Sequence, residues 1–457
     1  MRVWNGLSKI RTSGLQRGMR YLAGALLLPL SFGAFGDDLL AVYHKAQEND
    51  PTYSSAQYTY AAAKQKVPQA RAGLLPVVNL TGSDSKAKDT ALFDGPPIIN
   101  RNIASWAWTL QLTQPLINFQ NIYAFSSAEM QVTQAHAQYA LAEQDLILRV
   151  TQAYFDVLVA QNTIEVAQAQ IRATEEQLAL AQHGFDEGTN AITDVHEAKS
   201  RADLARSQYV AARNDLEDKN AELEKMVEQA PKTLAALRPE ATIPRPQPEN
   251  IKDWTEQARE SNPAVLAPLA ALGAAEAEVR KNRAGNMPTL DFVASYGNNY
   301  ASGSISLPSN YDTRVNSAQL GFQFNMPLFA GGLTNSRIIE ALDNQGKARA
   351  DLEVARRQSA TDAKKAYAAV VNGLAQIEAL ESAVESSKSA VKGNQVGYKL
   401  GIHMNIDVLN AEQQLYTAQR DLIKARYDTL FQGLKLKAAA GVLSESDVEM
   451  VNAMLVH

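Results

Sequence analysis

The sequence reads AQENDP from Ala46 to Pro51 and ARESNP from Ala258 to Pro263, so one pattern occurs twice. The two stretches are 212 residues apart, and the same offset relates RAGLLP at 71–76 to RAGNMP at 283–288. Toward the C-terminus the offset becomes 213 residues, as in the pairs Tyr154 and Tyr367, Gly188 and Gly401, and Asp194 and Asp407. A repeat of this length indicates two copies of one large unit rather than a solenoid of short repeats.

Prolines crowd the region between the two copies: Pro231, Pro239, Pro244, Pro246 and Pro248. Because proline interrupts helices and sheets alike, we expect an extended linker here. The chain then divides into a signal peptide (1–36), a first repeat (37–230), a proline-rich linker (231–250) and a second repeat (251–457).

The N-terminus has the pattern of a secretory signal peptide. It carries five basic residues and no acidic one, then an apolar run from Tyr21 to Leu30, then Ala34 and Gly36 as small residues for cleavage. The run is about half the ~20 residues of a membrane-spanning helix, which disfavours a transmembrane anchor. Without residues 1–36 the formal net charge of −5 becomes −10, since five positive charges are removed. An acidic chain of this kind is not expected to bind nucleic acid.

Several classes of protein are disfavoured by what the sequence lacks. It contains no cysteine, and therefore no disulfide, metal–thiolate site or lipidated cysteine. It contains no HExxH, GxSxG or phosphate-binding glycine loop, so we expect no enzyme activity and no cofactor. His183, His196 and His403 lie near the turns predicted below, but without paired i, i+4 ligands, so we expect no metal site.

Four segments alternate between apolar and polar residues, which is typical of β-strands. They form two hairpins, at about 77–117 and 289–329, and each segment is roughly as long as a membrane strand. The clearest alternations are Trp106, Trp108, Leu110 and Leu112 in one strand, and Leu320, Phe322, Phe324 and Met326 in another. Soluble hairpins are the alternative. Four strands cannot close a membrane barrel, which needs about eight, so membrane strands would require several chains sharing one barrel.

Long helices are predicted between these hairpins. No proline occurs from Leu116 to Ala230 or from Leu328 to His457, which leaves room for a helix of ~65 residues, roughly 100 Å long. Apolar residues recur every seven positions, which indicates left-handed coiled coils: Val157, Ile164, Ile171, Leu178 and Phe185, and Val370, Ile377, Val384, Val391 and Tyr398. A second seam consists of alanines that allow close helix approach: Ala198, Ala205, Ala212, Ala411, Ala418 and Ala425.

Short turns are predicted to join the helices of each pair. The first covers 184–194 and the second 397–407, and glycine reverses the chain in both. We expect Thr193 and Asn405 to cap the returning helices.

At these turns the sequence resembles the TolC-type outer-membrane channels, along essentially all of residues 37–450. The matching stretches include Arg71 to Pro76, Leu110 to Pro115, Ala191 to Val195, Pro327 to Gly331 and Asp407 to Leu409. The resemblance implies an α+β, mostly helical fold: a homotrimer with a twelve-strand β-barrel in the outer membrane, four strands per chain, continued by a long periplasmic α-helical barrel of coiled-coil pairs.

The resemblance also implies a function and partners. The chain would be the outer-membrane exit duct of a tripartite export system that passively conducts proteins or small toxic compounds. Its partners would be a periplasmic adaptor protein, an inner-membrane ABC or proton-driven transporter, and outer-membrane lipid.

Site residues follow from the resemblance position by position. Thr193 and Asp194 match residues of the first-turn lock, Tyr398 matches the aromatic of the constriction, and Asp407 matches the acidic ring of the pore entrance. Gly188 and Gly401 match the turns that dock the adaptor. Two positions depart from the family: His403 replaces an arginine and Asn410 replaces a second acidic residue. Because histidine titrates near neutral pH, pairing of His403 with Asp194 or Thr193 across the tip would make the lock pH-dependent.

A periplasmic coiled-coil adaptor, or a structural protein without a pore, is the alternative function. An adaptor would lack four amphipathic strands and would usually carry a lipoyl-like or barrel domain between its helices. Asp194 and Asp407 also have a simpler explanation, since acidic residues are favoured at helix starts.

Overall fold

The computed structural model describes residues 38–91, 99–189, 191–229, 233–303 and 311–456. The predicted signal peptide lies outside the described residues, as do the hairpin tip at Asp94–Pro97 and residues 304–310 of the second tip. The described chain is mostly helical with one four-stranded sheet, which confirms the predicted balance of helix and strand.

Short helices precede each pair of strands. Asp50 and Asn262 begin two of them in the same way, because each side chain accepts a hydrogen bond from a backbone N–H of the first turn. The proline that follows each cap suits the first helical position, where its missing N–H costs nothing. These helices are α1 (Leu39–Asn49), α2 (Pro51–Lys64) and α3 (Lys66–Ala72) before the first hairpin, and α6 (Ile251–Ser261) and α7 (Pro263–Ala284) before the second.

The four strands form one antiparallel sheet in the order β1-β2-β3-β4. They are β1 (Val77–Ala91), β2 (Ile99–Ile117), β3 (Thr289–Ala301) and β4 (Thr313–Asn325). The second hairpin therefore ends at Asn325, before the expected boundary at about 329. Pro327 follows, and proline cannot donate a hydrogen bond to a continuing strand.

The two faces of the sheet differ in polarity, because the register places apolar residues beside apolar residues on one face and polar beside polar on the other. Leu80, Leu110 and Tyr296 are neighbours on one face, and Leu112, Ala294 and Leu320 form the next row on that face. Trp106 stacks on Tyr300 farther along the same face, with ring centroids 5.9 Å apart. The opposite face is mainly polar, with residues such as Thr81, Thr109, Gln111, Ser295 and Gln319.

Two long helical hairpins make up most of the chain. They are α4 (Phe119–Asp186, 68 residues) with α5 (Ile192–Val227), and α8 (Leu333–Lys399, 67 residues) with α9 (Asn405–Ala439). The six predicted seam alanines are all buried, as are Val157, Val370 and Val384 of the heptads, whereas Phe185 at the end of its heptad is exposed. Within the described ranges, no helix combines the length and the apolar composition that a membrane crossing requires.

The largest apolar core surrounds the middle of the long helices. There α1, α4, α9 and α10 (Glu445–Asn452) pack around Tyr154, Phe155, Leu146 and Leu455. Residues 239–248, which we call the strap, contain no helix or strand, and Ile243 of the strap packs against this core. The Tyr154 hydroxyl donates to the carbonyl of Ala235 over 2.8 Å and so fixes the segment that leads into the strap.

Candidate gate at the helical turns

The first turn reverses the chain between α4 and α5. Gly188 has φ of +77°, a left-handed conformation that favours glycine, and its N–H donates to the carbonyl of Phe185 over 2.9 Å. The backbone N–H and the hydroxyl of Thr189 both donate to the carbonyl of Gly184, over 2.8 and 2.9 Å. Residues of the turn thus supply hydrogen-bond donors to the carbonyl groups at the exposed end of α4.

The second turn, between α8 and α9, repeats this geometry. Gly401 has φ of +73°, and its N–H donates to the carbonyl of Tyr398 over 3.0 Å. The N–H of Ile402 donates to the carbonyl of Gly397 over 2.9 Å. Gly188 and Gly401 therefore occupy equivalent bends at the two turns.

The returning helices are capped by Asp194 and Asp407, not by Thr193 and Asn405 as the sequence led us to expect. Helix α5 begins two residues earlier and α9 one residue earlier than that expectation requires, so that Thr193 is the second residue of α5 and Asn405 the first of α9. A carboxylate oxygen of Asp194 accepts from the N–H of Ala191 over 3.3 Å, and one of Asp407 accepts from the N–H of Met404 over 3.0 Å. An acidic residue in the first helical turn also interacts favourably with the positive end of the helix dipole.

His403 lies beside Asp407 at the second turn. Its Nδ1 is 3.5 Å from Oδ2 of Asp407, and both side chains are partly exposed. Its ring covers Gly397, where a β-carbon would collide with the imidazole. The carboxylate beside His403 within one chain is thus that of Asp407 rather than Asp194, and its pairing across the tip stays a prediction.

The two turns of one chain are held together by an apolar cluster. Leu409 of α9 packs against Ala181 of α4 and against Val195 and Ala198 of α5. A Gln170–Gln413 side-chain hydrogen bond of 2.7 Å links α4 and α9 farther from the turns. The structure thus places Thr193, Asp194, Tyr398, His403 and Asp407 on adjoining hairpins at the same end of the molecule.

Sequence reasoning missed Arg201, which links the same hairpins by a polar contact. Its Nη2 donates to Oδ1 of Asn410 over 3.3 Å, and its Nε lies 3.1 Å from a carboxylate oxygen of Glu197. The Glu197–Arg201 spacing of four residues is a signal that the sequence does contain. The partner on the other hairpin could not be identified without the packing of α5 against α9.

A buried carboxyl group, that of Glu412 on α9, also lies where the two hairpins pack together. Its Oε1 accepts from Nε2 of Gln395 over 3.2 Å, while its Oε2 has no hydrogen-bond partner among the described residues. Burial raises the pKa of Glu412, and the charge of Glu176 on α4 acts in the same direction, whereas the hydrogen bond from Gln395 acts against them. Arg201 of α5 lines the same small cavity.

The described residues contain no group of three or more His, Cys, Asp or Glu side chains that could hold a metal ion. Contrary to the expectation from the sequence, His183 and His403 each have a possible ligand four residues later, since they lie beside the carboxylates of Glu187 and Asp407 in their own turns.

Comparison with known proteins identifies the family. The model of the outer membrane efflux protein family matches residues 42–228 and again 254–442. The chain is 34% identical to the alkaline protease secretion protein AprF of Pseudomonas aeruginosa, over 97% of this chain and 92% of that protein. It is 32% identical to the outer membrane protein TolC of Vibrio cholerae, over 94% and 97% of the two chains.

Solved structures agree on the fold. The CmeC outer membrane channel of Campylobacter jejuni superimposes with a TM-score of 0.77 over 97% of this chain and 98% of that chain, at 15% identity. The VceC outer membrane protein of Vibrio cholerae gives a TM-score of 0.74 over 88% and 96%. The chain therefore belongs to the outer membrane efflux protein family, and it is an outer-membrane exit duct with a large periplasmic part.

Proposed function

We propose that three copies of this chain assemble into one duct and that their sheets join into a twelve-strand barrel. The observation that carries this proposal is the four-stranded sheet, whose described residues leave β1 and β4 as open edges. Open sheet edges are not tolerated in lipid, and four strands are too few to close a barrel. Three sheets joined edge to edge satisfy both requirements.

The polarity of the sheet supports its orientation in such a barrel. The face that carries Leu80, Leu110, Leu112 and Leu320 would contact outer-membrane lipid, and the Thr- and Gln-rich face would line the lumen. The paired part of β4, Thr313–Asn325, is long enough for a tilted membrane strand. Trp106 and Tyr300 would then lie near one interface of the membrane.

The long helices would form the periplasmic tunnel. A helix of 68 residues is about 100 Å long at ~1.5 Å per residue, which suits a structure that crosses a compartment. Buried alanine seams allow close approach of a neighbouring helix on each side, as a closed ring of helices requires. The two matches of one family model support the division into repeats at 37–230 and 251–457 with the linker at 231–250.

The helical turns would form the gate at the periplasmic end. Asp194 and Asp407 lie at equivalent helix starts, and in a trimer three copies of Asp407 would surround a narrow axis and attract cations. Thr193, Tyr398 and His403 would complete the constriction. Gly188 and Gly401, at the exposed bends, would mark the surface that an adaptor protein contacts.

The duct would receive its cargo from an inner-membrane ABC or proton-driven transporter through that adaptor. The name of AprF records secretion of a protease, which favours protein export as one use of the duct. The alternative, an adaptor without a pore, is disfavoured because the chain devotes four paired strands to a sheet with one apolar face.

The mass of the protein in mild detergent, together with ion conductance in planar bilayers, tests the proposal. We expect a trimer that forms discrete conducting channels. A monomeric or dimeric particle, or a trimer without conductance, would contradict it.

A further inference from the structure

A pocket of about 320 Å³ lies beneath the strap. Its lining residues on α9 are near the C-terminal end of that helix, away from the second turn. Its wall is mostly apolar and is drawn from α6, α8, α9, α10 and the strap itself. Representative lining residues are Ile243, Trp254, Val370, Leu434 and Met454. A volume of this size is within the usual range for small-molecule sites.

The pocket is preformed. Trp254 is buried, and its Nε1 donates to the carbonyl of Pro248 over 2.7 Å, which holds the indole in place as one wall. Gly433 of α9 also lines the pocket, and a β-carbon at this position would meet no atom within 4 Å. The space in front of Gly433 is therefore open.

Three charged side chains line the pocket, and their net charge is positive. Lys437 and Asp447 neutralise each other in an ion pair of 2.5 Å, and Asp447 also accepts from the N–H of Ser444 over 3.0 Å. Arg245 is exposed on the strap, and among the described residues it makes no hydrogen bond or ion pair. One cationic group thus remains available beside an apolar cavity.

We propose that this pocket binds a small amphipathic anion, with an apolar ring or short acyl body and one carboxylate or sulfonate group. The apolar body would pack against Trp254 and Leu434, and the anionic group would be bound by the guanidinium of Arg245, which is suited to two-point binding of such groups. The ligand would contact both long helices of the second hairpin as well as the strap. The inference goes beyond the export function and does not depend on the trimer.

Equilibrium dialysis of the purified full-length protein in lipid nanodiscs, with 2-naphthalenesulfonate as the probe, tests the site. We expect saturable binding of one probe per chain. Gly433→Leu fills the open space and should abolish binding. Gly393→Leu is the matched control, because Gly393 is also an interior helix glycine with open space around it, on α8 away from the pocket. Thermal unfolding of both variants establishes that they are folded.

The charge is tested separately. Arg245→Ala should weaken binding of the sulfonate roughly tenfold, as expected for a lost charged hydrogen bond, and should leave binding of the uncharged 2-naphthol unchanged. Absence of saturable binding, unchanged binding in the folded Gly433→Leu variant, or equal weakening of both probes by Arg245→Ala would overturn the proposal.

Discussion

Arg201 of α5 donates a hydrogen bond of 3.3 Å to Asn410 of α9, and it thereby ties the two helical hairpins of one chain together close to their turns. Arg201 is held in position by Glu197, one helical turn earlier, at 3.1 Å. Asn410 stands where the resemblance led us to expect a second acidic ring, and its side chain is instead engaged within the chain. This contact connects the hairpins whose separation would open the proposed gate.

Arg201→Ala should raise the resting conductance of the channel in planar bilayers. Loss of the contact removes the polar link between α5 and α9, while the stability of the chain should change by no more than about 1 kcal/mol, because the pair is partly exposed. Arg213→Ala is the matched control, since Arg213 pairs with Glu217 of its own helix over 3.6 Å. Equal conductance of the two variants would show that Arg201 does not hold the gate.

Asp407 has two roles that two substitutions separate. Asp407→Asn removes the charge but retains an oxygen that can accept from the N–H of Met404, whereas Asp407→Ala removes both. We expect both variants to lose cation selectivity in bilayer recordings and only the alanine variant to lose about 1 kcal/mol of stability. If the asparagine variant keeps its selectivity, Asp407 serves only to begin the helix. Asp194→Asn tests the equivalent position of the first turn.

Glu412 should make stability depend on pH. Because burial raises the pKa of Glu412 in the folded chain, its contribution to stability is present below the ordinary glutamate pKa and is lost as pH rises through the raised value. Glu412→Gln should therefore raise the apparent melting temperature at neutral pH, and the gain should shrink as pH falls toward about 4. Exposed Glu385→Gln is the control. A gain independent of pH would exclude titration of Glu412 as the cause.

His403→Arg should lower the resting conductance, because a permanent cation would lie beside Asp407, where the imidazole is now 3.5 Å away. His183→Arg is a close control, since His183 lies 3.2 Å from Glu187 with the same four-residue spacing at the other turn. Single-channel recordings of both variants provide the measurement. A reduction of equal size in both would indicate a general charge effect at this end of the molecule rather than a contact specific to His403.

The sequence by itself determined the elements and their faces. Period-two alternation at Trp106–Leu112 and at Leu320–Phe324 predicted the strands, because successive side chains of a strand point to opposite sides. Seven-residue spacing and the alanine series from Ala198 to Ala425 predicted which helix faces are buried, because these positions recur on one side of a helix. The absence of proline between Leu116 and Ala230 allowed a helix as long as the 68 residues of α4.

Only the tertiary structure decided which helix start uses which cap and which residues meet across hairpins. Thr193 and Asn405 are plausible caps by residue type, but the position at which each helix begins gives that role to Asp194 and Asp407. Arg201 and Asn410, 209 positions apart, meet only through the packing of α5 against α9. The pocket beneath the strap likewise requires five separate segments to converge. Local patterns specify the faces of elements, whereas contacts between distant residues depend on how those faces are packed together.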